Sequence, residues 1–238
     1  MTHFKRVLII PLTIAATMFI AQSSYPGTKP ITQQNSIRIL PFDKTKLPMG
    51  IMFKGKMIEG IRWTDKSGEH IVMETQVDPY ENKKVKLTKE EIEEDGYPLN
   101  ADIYIYNFVI IKNKCQQIWM VHDCVHDCSG SSAVASFVKN ALQVTDLNHN
   151  GIAEVWAIYK IQCMQDAAPM EMKLVMHEGQ QIYRMAGEDE YIDDAGNHQG
   201  GTYEFKTLFK NAPDEFTGFA IKLWEKNKIQ DREFKNLY

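Results

Sequence analysis

The sequence predicts a mainly β fold, α+β in class, built from antiparallel sheets with a short central helix and an amphipathic helix near the C-terminus. Three observations carry that prediction. Short segments rich in β-branched and aromatic side chains recur along the chain, separated by turn residues. Thr88 and Glu91 stand at capping-box spacing, which marks one helix start. Phe216, Phe219, Ala220, Leu223 and Trp224 form an apolar stripe at helical spacing, which marks a second helix.

The elements follow in order. Ser36 to Leu40 reads as a first strand ended by Pro41, and Lys56 to Trp63 as a second. Ile71 to Val77 is its hairpin partner across the turn Asp65-Lys-Ser-Gly68. Leu87 to Gly96 is the short helix, closed by Gly96, and its acidic run reads as a solvated face. Ala101 to Ile111 is a core strand, and Gln116 to Val121 follows across Lys112-Asn-Lys114. After a small-residue stretch, Ser129 to Ala133, the strand pair Leu142–Thr145 and Val155–Tyr159 flanks a loop. Met172–Met176 and Gln181–Met185 pair across Glu178-Gly179, and Glu188 to Gly201 reads as a surface loop. The last helix runs from about Pro213 to Ile229, with Asp214 and Glu215 at the positive end of its dipole.

The N-terminus predicts export. His3, Lys5 and Arg6 precede an apolar run from Val7 to Ile20, and Ala21-Gln-Ser23 supplies small residues for cleavage. Residues 1–23 therefore read as a signal peptide, 24–35 as a disordered polar leader, and 36–238 as a single β-rich domain. Pro11 interrupts the apolar run, which is shorter than the ~20 residues a membrane span needs. No membrane span is expected after cleavage. Losing Lys5 and Arg6 from the 27 basic residues leaves 25 against 31 acidic ones. That mildly acidic balance disfavours nucleic acid as a partner.

An even cysteine count in an exported chain predicts disulfides among Cys115, Cys124, Cys128 and Cys163, with three pairings open. A Cys128–Cys163 bridge would contribute about 3–4 kcal/mol by restricting the unfolded chain.

The stretch Asp146-Leu-Asn-His-Asn-Gly-Ile-Ala-Glu154 has the spacing of a cation loop. Asp146, Asn148 and Asn150 alternate as oxygen donors and Ile152 offers its carbonyl. Glu154 stands at the ninth position, and Gly151 sits where such a loop turns. A hard cation, calcium, is the expected cofactor. Ala157 occupies the place of the bidentate Glu of an EF-hand, so affinity should be weak, in the ~10⁻⁴–10⁻³ M range.

A duplicated Val-His-Asp-Cys, Val121 to Cys128, would place His122, Cys124, His126 and Cys128 on one face of an extended strand. Two imidazoles and two thiolates suit zinc or copper, but oxidation to disulfides would remove the thiolates. Other catalytic signatures are sparse. His177-Glu178 lacks the second histidine of a zincin, Gln181 standing in its place, and His70 beside Glu69 reads as a surface polar pair.

Three stretches together resemble a family of exported bacterial proteins described as surface polysaccharide biosynthesis proteins. They are Gly55 to Val72, Val134 to Trp156 and Met172 to Gly179. The resemblance spans about Phe53 to Trp224 and implies a role at the cell envelope, in the periplasm or at the cell surface. Polysaccharide or envelope proteins would be the partners, and no catalytic residues carry over. It also implies Cys128 paired with Cys163 and Cys115 with Cys124. The Asp146–Glu154 loop is similar to the calcium loop of FG-GAP/VCBS repeats, present here in one copy. The function expected is a calcium-stabilised envelope protein of binding or structural type. The alternative is a glycan-acting envelope enzyme with carboxylates still to be located.

Overall fold

Strand periodicity sets the architecture, because alternate residues of each long strand must be buried by something on either side. The computed structural model describes residues 37–129, 132–164 and 168–229. The signal peptide and the whole polar leader expected from the sequence lie outside the described residues.

The first sheet is an antiparallel meander in chain order: β1 (Arg38–Leu40), β2 (Lys56–Asp65), β3 (Gly68–Glu81), β4 (Leu99–Ile111) and β5 (Lys114–Cys128). Helix α1 (Lys89–Glu94) bridges β3 and β4, and its predicted capping box is formed in both directions. The β4–β5 turn places Lys112 and Asn113 at positive φ, as a tight two-residue hairpin requires.

Two more strands, β6 (Ser132–Phe137) and β7 (Gln143–Thr145), lead into β8 (Glu154–Met164), β9 (Glu171–Glu178) and β10 (Gln181–Glu188). A small hairpin of β11 (Glu190–Ile192) and β12 (His198–Gly200) precedes β13 (Tyr203–Phe205). The second sheet is ordered β13-β10-β9-β8-β6, with β7 also pairing along β8. A 3-10 turn (Phe209–Asn211) and helix α2 (Asp214–Asn227) complete the described chain. None of its helices is long and apolar enough to cross a membrane.

The layers follow from the alternation. The inner face of the first sheet (Trp63, Val72, Ile103, Ile105, Val121) packs on Ala135, Val155, Ala157, Tyr159 and Val175 of the second. The opposite face of the second sheet (Trp156, Ile158, Leu174, Met176, Met185) is covered by α2 through Phe216, Ala220, Leu223 and Trp224. The outer face of the first sheet carries Ile71, Met73, Tyr104 and Phe108, with Phe42, Leu47 and Ile51 of the β1–β2 connection packed on it. Burying one large aromatic of this kind contributes about 1.5–3 kcal/mol.

Three expectations are corrected. Segment 188–201 is more than a surface loop: it forms the β11–β12 hairpin, and Asp189 within it is fully buried. The Asp189 carboxylate accepts from Lys160 Nζ at 2.8 Å and from the Met170 N–H at 2.7 Å, which roots the segment in β8. Burial pushes this carboxyl up, and Lys160 works in the opposite direction.

The four alternate residues of the duplicated Val-His-Asp-Cys do not share a face. Leu99 opposes Cys128 and Ala101 opposes Val125, so β5 carries one extra residue across that interval. Asp127 absorbs it at φ 50°, and its freed N–H donates to Asn100 Oδ1 at 2.8 Å. Beyond this bulge Cys128 points inward, to Cys163. The Cys128–Cys163 bridge is formed, with Cα atoms 5.3 Å apart.

The third correction concerns the other two thiols. Cys115 and Cys124 are free and sit nine positions apart on the single strand β5. At about 3.3 Å per residue they are roughly 30 Å apart, far beyond disulfide reach.

The bridge joins positions 35 residues apart. Replacing both cysteines, Cys128→Ala with Cys163→Ala, is expected to cost about 4 kcal/mol of unfolding free energy. Urea denaturation with an unchanged midpoint would show that the bridge constrains nothing.

Candidate functional sites

The Asp146–Glu154 loop joins β7 to β8, and local hydrogen bonds dictate its shape. The Gly151 N–H donates to both Asp146 carboxylate oxygens at 3.2 Å. The Asn150 N–H donates to Asn148 Oδ1 at 3.1 Å, and the Ile152 N–H to Asn150 Oδ1 at 2.7 Å. His149 and Gly151 take positive φ to close the turn. Side-chain oxygens of Asp146, Asn148 and Asn150 are thus gathered by the loop's own amides, each with acceptor capacity to spare.

Glu154 behaves differently from the other four predicted ligands. It is fully buried, and its carboxylate accepts from Thr145 Oγ1 at 2.6 Å and from the Leu147 N–H at 2.9 Å. It ties the two ends of the loop together. A carboxylate not foreseen from the loop sequence arrives instead: Glu178, opposite Glu154 in the β8–β9 register, accepts from the Asn148 and Asn150 amides at 2.7 and 2.6 Å. Burial raises the Glu154 pKa and Glu178 adds to the rise, against the donors from Thr145, Leu147 and Asn148. Oxygen donors with two or three carboxylates and no nitrogen or sulfur fit a hard cation such as calcium.

The loop also joins the two sheets. Asp65, at the end of β2, accepts from the Ala153 N–H at 3.1 Å, while the Lys66 N–H donates to the Gly151 carbonyl at 2.9 Å. Lys66 Nζ reaches the Asn150 carbonyl as well. Burial alone would raise the Asp65 carboxyl, but donors from Ser67, Ala153 and Trp63 outweigh it and hold the group below the usual range.

Beside this clamp, at the mouth of the sandwich, lies a cleft of about 330 Å³. Trp63, His70, Asn107 and Trp119 of the first sheet line it, facing His177 of the second and Ile152 of the loop. His70 stacks on Trp63 with centroids 5.1 Å apart, and His177 on Trp119 at 3.9 Å. His70 is buried, contrary to its reading as part of a surface pair, and its Nε2 lies 2.8 Å from Ser67 Oγ. His177 is also buried, and neither of its ring nitrogens has a hydrogen-bond partner in the protein. Burial, helped by Arg184, pushes its pKa down to about 4, so the ring is neutral at physiological pH. A neutral imidazole offers one donor and one acceptor to a ligand.

On the outer face of the first sheet, Asp102 of β4 stands opposite Cys124 of β5. His122 Nε2 lies 2.6 Å from Asp102 Oδ1, and Tyr80 Oη donates to Asp102 Oδ2 at 3.0 Å. His126 Nε2 lies 2.9 Å from Cys124 Sγ. The Cys124 thiol is raised by burial and by the carboxylates of Asp102 and Asp123, so it is not poised as a free nucleophile.

The most strongly shifted acid lies elsewhere. Glu74, 1% exposed, has no partner for either carboxylate oxygen and stands opposite Glu59 in the β2–β3 register. Burial, with Glu59 adding to it, raises Glu74 well above the ordinary value. Neither residue is among those lining the cleft. A broader groove of about 590 Å³ beside α1 carries Glu81, Glu91, Asp95 and Asp127. Three of these are committed locally: Glu91 to the capping box, Asp127 to the Asn82 amide and Glu81 to Lys83. Comparisons with protein-family models, curated proteins and solved structures find no match to this chain.

Two pH effects follow, of opposite sign. His177 is depressed to about 4 from 6.5, so its stabilising contribution is complete above pH 6.5 and is lost as pH falls toward 4. His177→Gln is expected to recover roughly 2–3 kcal/mol of the wild-type loss between pH 7 and 4.5, measured by chemical denaturation. Glu74 is raised, so its penalty grows as pH rises above the ordinary carboxyl range. Glu74→Gln should stabilise the protein at pH 8 and give no advantage at pH 4; stability differences that do not change with pH would refute both assignments.

Proposed function

We propose that this protein is an exported, calcium-stabilised binding module of the cell envelope, taking a neutral hydroxyl-bearing ligand such as a surface polysaccharide segment in its inter-sheet cleft. One observation carries the reading: the acceptor-lined loop and the cleft share residues, Ile152 and Ala153 belonging to both. Calcium held by Asp146, Asn148, Asn150, the Ile152 carbonyl and Glu178, with Glu154 behind them, would supply positive charge where these carboxylates gather. The loop's grip on Asp65 and Lys66 then sets the spacing of the sheets at the cleft rim.

The chemistry of the lining favours a sugar over an ion. The half-buried Trp119 offers an apolar face, and two histidines with Asn107, Ser67 and Gln180 offer polar groups for hydroxyls. Weak calcium affinity suits a compartment where calcium is millimolar. The Cys128–Cys163 bridge suits an oxidising one.

A glycan-acting enzyme remains the second reading, with Glu59 and Glu74 as its acids. A glycosidase needs two carboxyls facing each other across the bond, about 5–9.5 Å apart. The carboxylate lining the cleft is Asp65, already occupied by Ser67, Trp63 and Ala153. Binding is therefore the reading we adopt.

Thermal melts test the calcium part. Calcium at about ten times its dissociation constant is expected to raise Tm by ~3–6 °C over chelator, as about 1.4 kcal/mol of linkage would. Asp146→Ala should abolish the shift and Glu178→Gln reduce it; an equal shift in Asp146→Ala would remove the loop from consideration. For the cleft, titration with purified surface polysaccharide should quench tryptophan fluorescence in wild type. Failure of Trp119→Ala to weaken that binding at least tenfold would place the ligand elsewhere.

A further inference from the structure

We propose that Asp102, His122, Cys124 and His126 form a binding site for a zinc-class transition-metal ion on the outer face of the first sheet. This site is separate from the calcium loop and the cleft, and does not rest on either. Among the described residues, Asp102, His122 and Cys124 are the one group of three or more His, Cys, Asp or Glu side chains whose ligand atoms all lie within 4.8 Å of one another.

The arrangement has a physical origin. β5 is the edge strand of its sheet, so residues at i, i+2 and i+4 on its outer face, His122, Cys124 and His126, stand in a row open to solvent. The bulge at Asp127 turns Cys128 inward to Cys163 and leaves Cys124 as a free thiol in that row. Register then brings Asp102 across from Cys124. A straight row of four ligands on one strand would be too long for one ion; substituting a cross-strand carboxylate for Cys128 shortens it.

Distances fit the same conclusion. Tetrahedral zinc bonds of about 2.0–2.3 Å place its donors roughly 3.3–3.6 Å apart. Here Asp102 and His122 are 2.6 Å apart and the trio spans at most 4.8 Å, so adjustments of about 1 Å complete a three-ligand shell. His126, exposed and 2.9 Å from the sulfur, supplies the fourth.

The ion replaces the His122–Asp102 and Cys124–His126 hydrogen bonds: each imidazole binds through a bare Nε2 with its proton on Nδ1, and the Cys124 thiol gives up its proton to solvent as the metal–sulfur bond forms. The surrounding groups orient the ligands: Tyr80 holds the second Asp102 oxygen, and the Tyr104 ring stacks on His122 at 4.4 Å. Thiolate and imidazole donors select a zinc-class ion over calcium or magnesium.

Cobalt(II), a spectroscopic substitute for zinc, tests this on the full chain with its Cys128–Cys163 bridge intact. Titration is expected to give one equivalent with a thiolate-to-cobalt charge-transfer band and visible bands of tetrahedral intensity. Zinc should displace it. Cys124→Ser should abolish the charge-transfer band, and His122→Ala should weaken binding at least tenfold. Tyr80→Phe, which touches no metal, should cost roughly tenfold through the carboxylate it orients. Cys115→Ser and Asp146→Ala should leave the cobalt spectrum unchanged, which separates this site from the other thiol and from the calcium loop. No charge-transfer band in wild type, or one that survives Cys124→Ser, overturns the proposal. Because Cys124 is only partly buried, that variant is expected to fold even if Asp102→Asn does not.

Discussion

The constraint on which the structure depends is that the second sheet is buried on both faces. β8 presents Val155, Ala157 and Tyr159 to the first sheet while sending Trp156 and Ile158 to helix α2. Such a strand has no solvent face, so each neighbouring element is held by what it covers. The helix, the 3-10 turn and β13 would have nothing to pack on without Trp156, Leu174 and Met185, and the first sheet would lose the partner for Trp63 and Val72. Polar groups that share this middle layer must be satisfied internally, which is why Lys160 of β8 carries a buried partner in Asp189.

Much of this was legible because local chemistry and tertiary packing agree. The capping box at Thr88, the Lys112-Asn113 turn and the α2 stripe are short-range signals, and each element formed where its signal stood. The central strands were readable from β-branched and aromatic density, and the helices from periodicity. Strand β6 was not, since Ser132, Ala133 and Ala135 have little strand preference of their own; their small side chains fit close against the opposing sheet. Asp189 was likewise hidden, because its partner Lys160 is far away in sequence.

The candidate sites divide along the same line. Asp146, Asn148 and Asn150 are contiguous, and a spacing rule finds them. Glu178 joins them only through the β8–β9 register, and Asp102 joins His122 and Cys124 only through the β4–β5 register. The histidines at 70 and 177 looked ordinary because a lone histidine in a strand carries no mark of the face it occupies. Parity would have helped: His70 is two residues before inward-facing Val72, and His177 two after inward-facing Val175.

The extra residue at Asp127 of β5 reaches further than the local kink it causes. The tetrapeptide Val-His-Asp-Cys is repeated perfectly along the chain, yet the two copies differ in three dimensions because the phase of the strand changes inside the second copy. One sulfur becomes a covalent link in the interior, and its duplicate stays at the surface as an available thiol. A sequence repeat has thereby become two chemically unlike positions without any change of residue type. Deleting one residue at the kink would restore the repeat's symmetry: the second sulfur would face outward, and Cys163 would lose its partner.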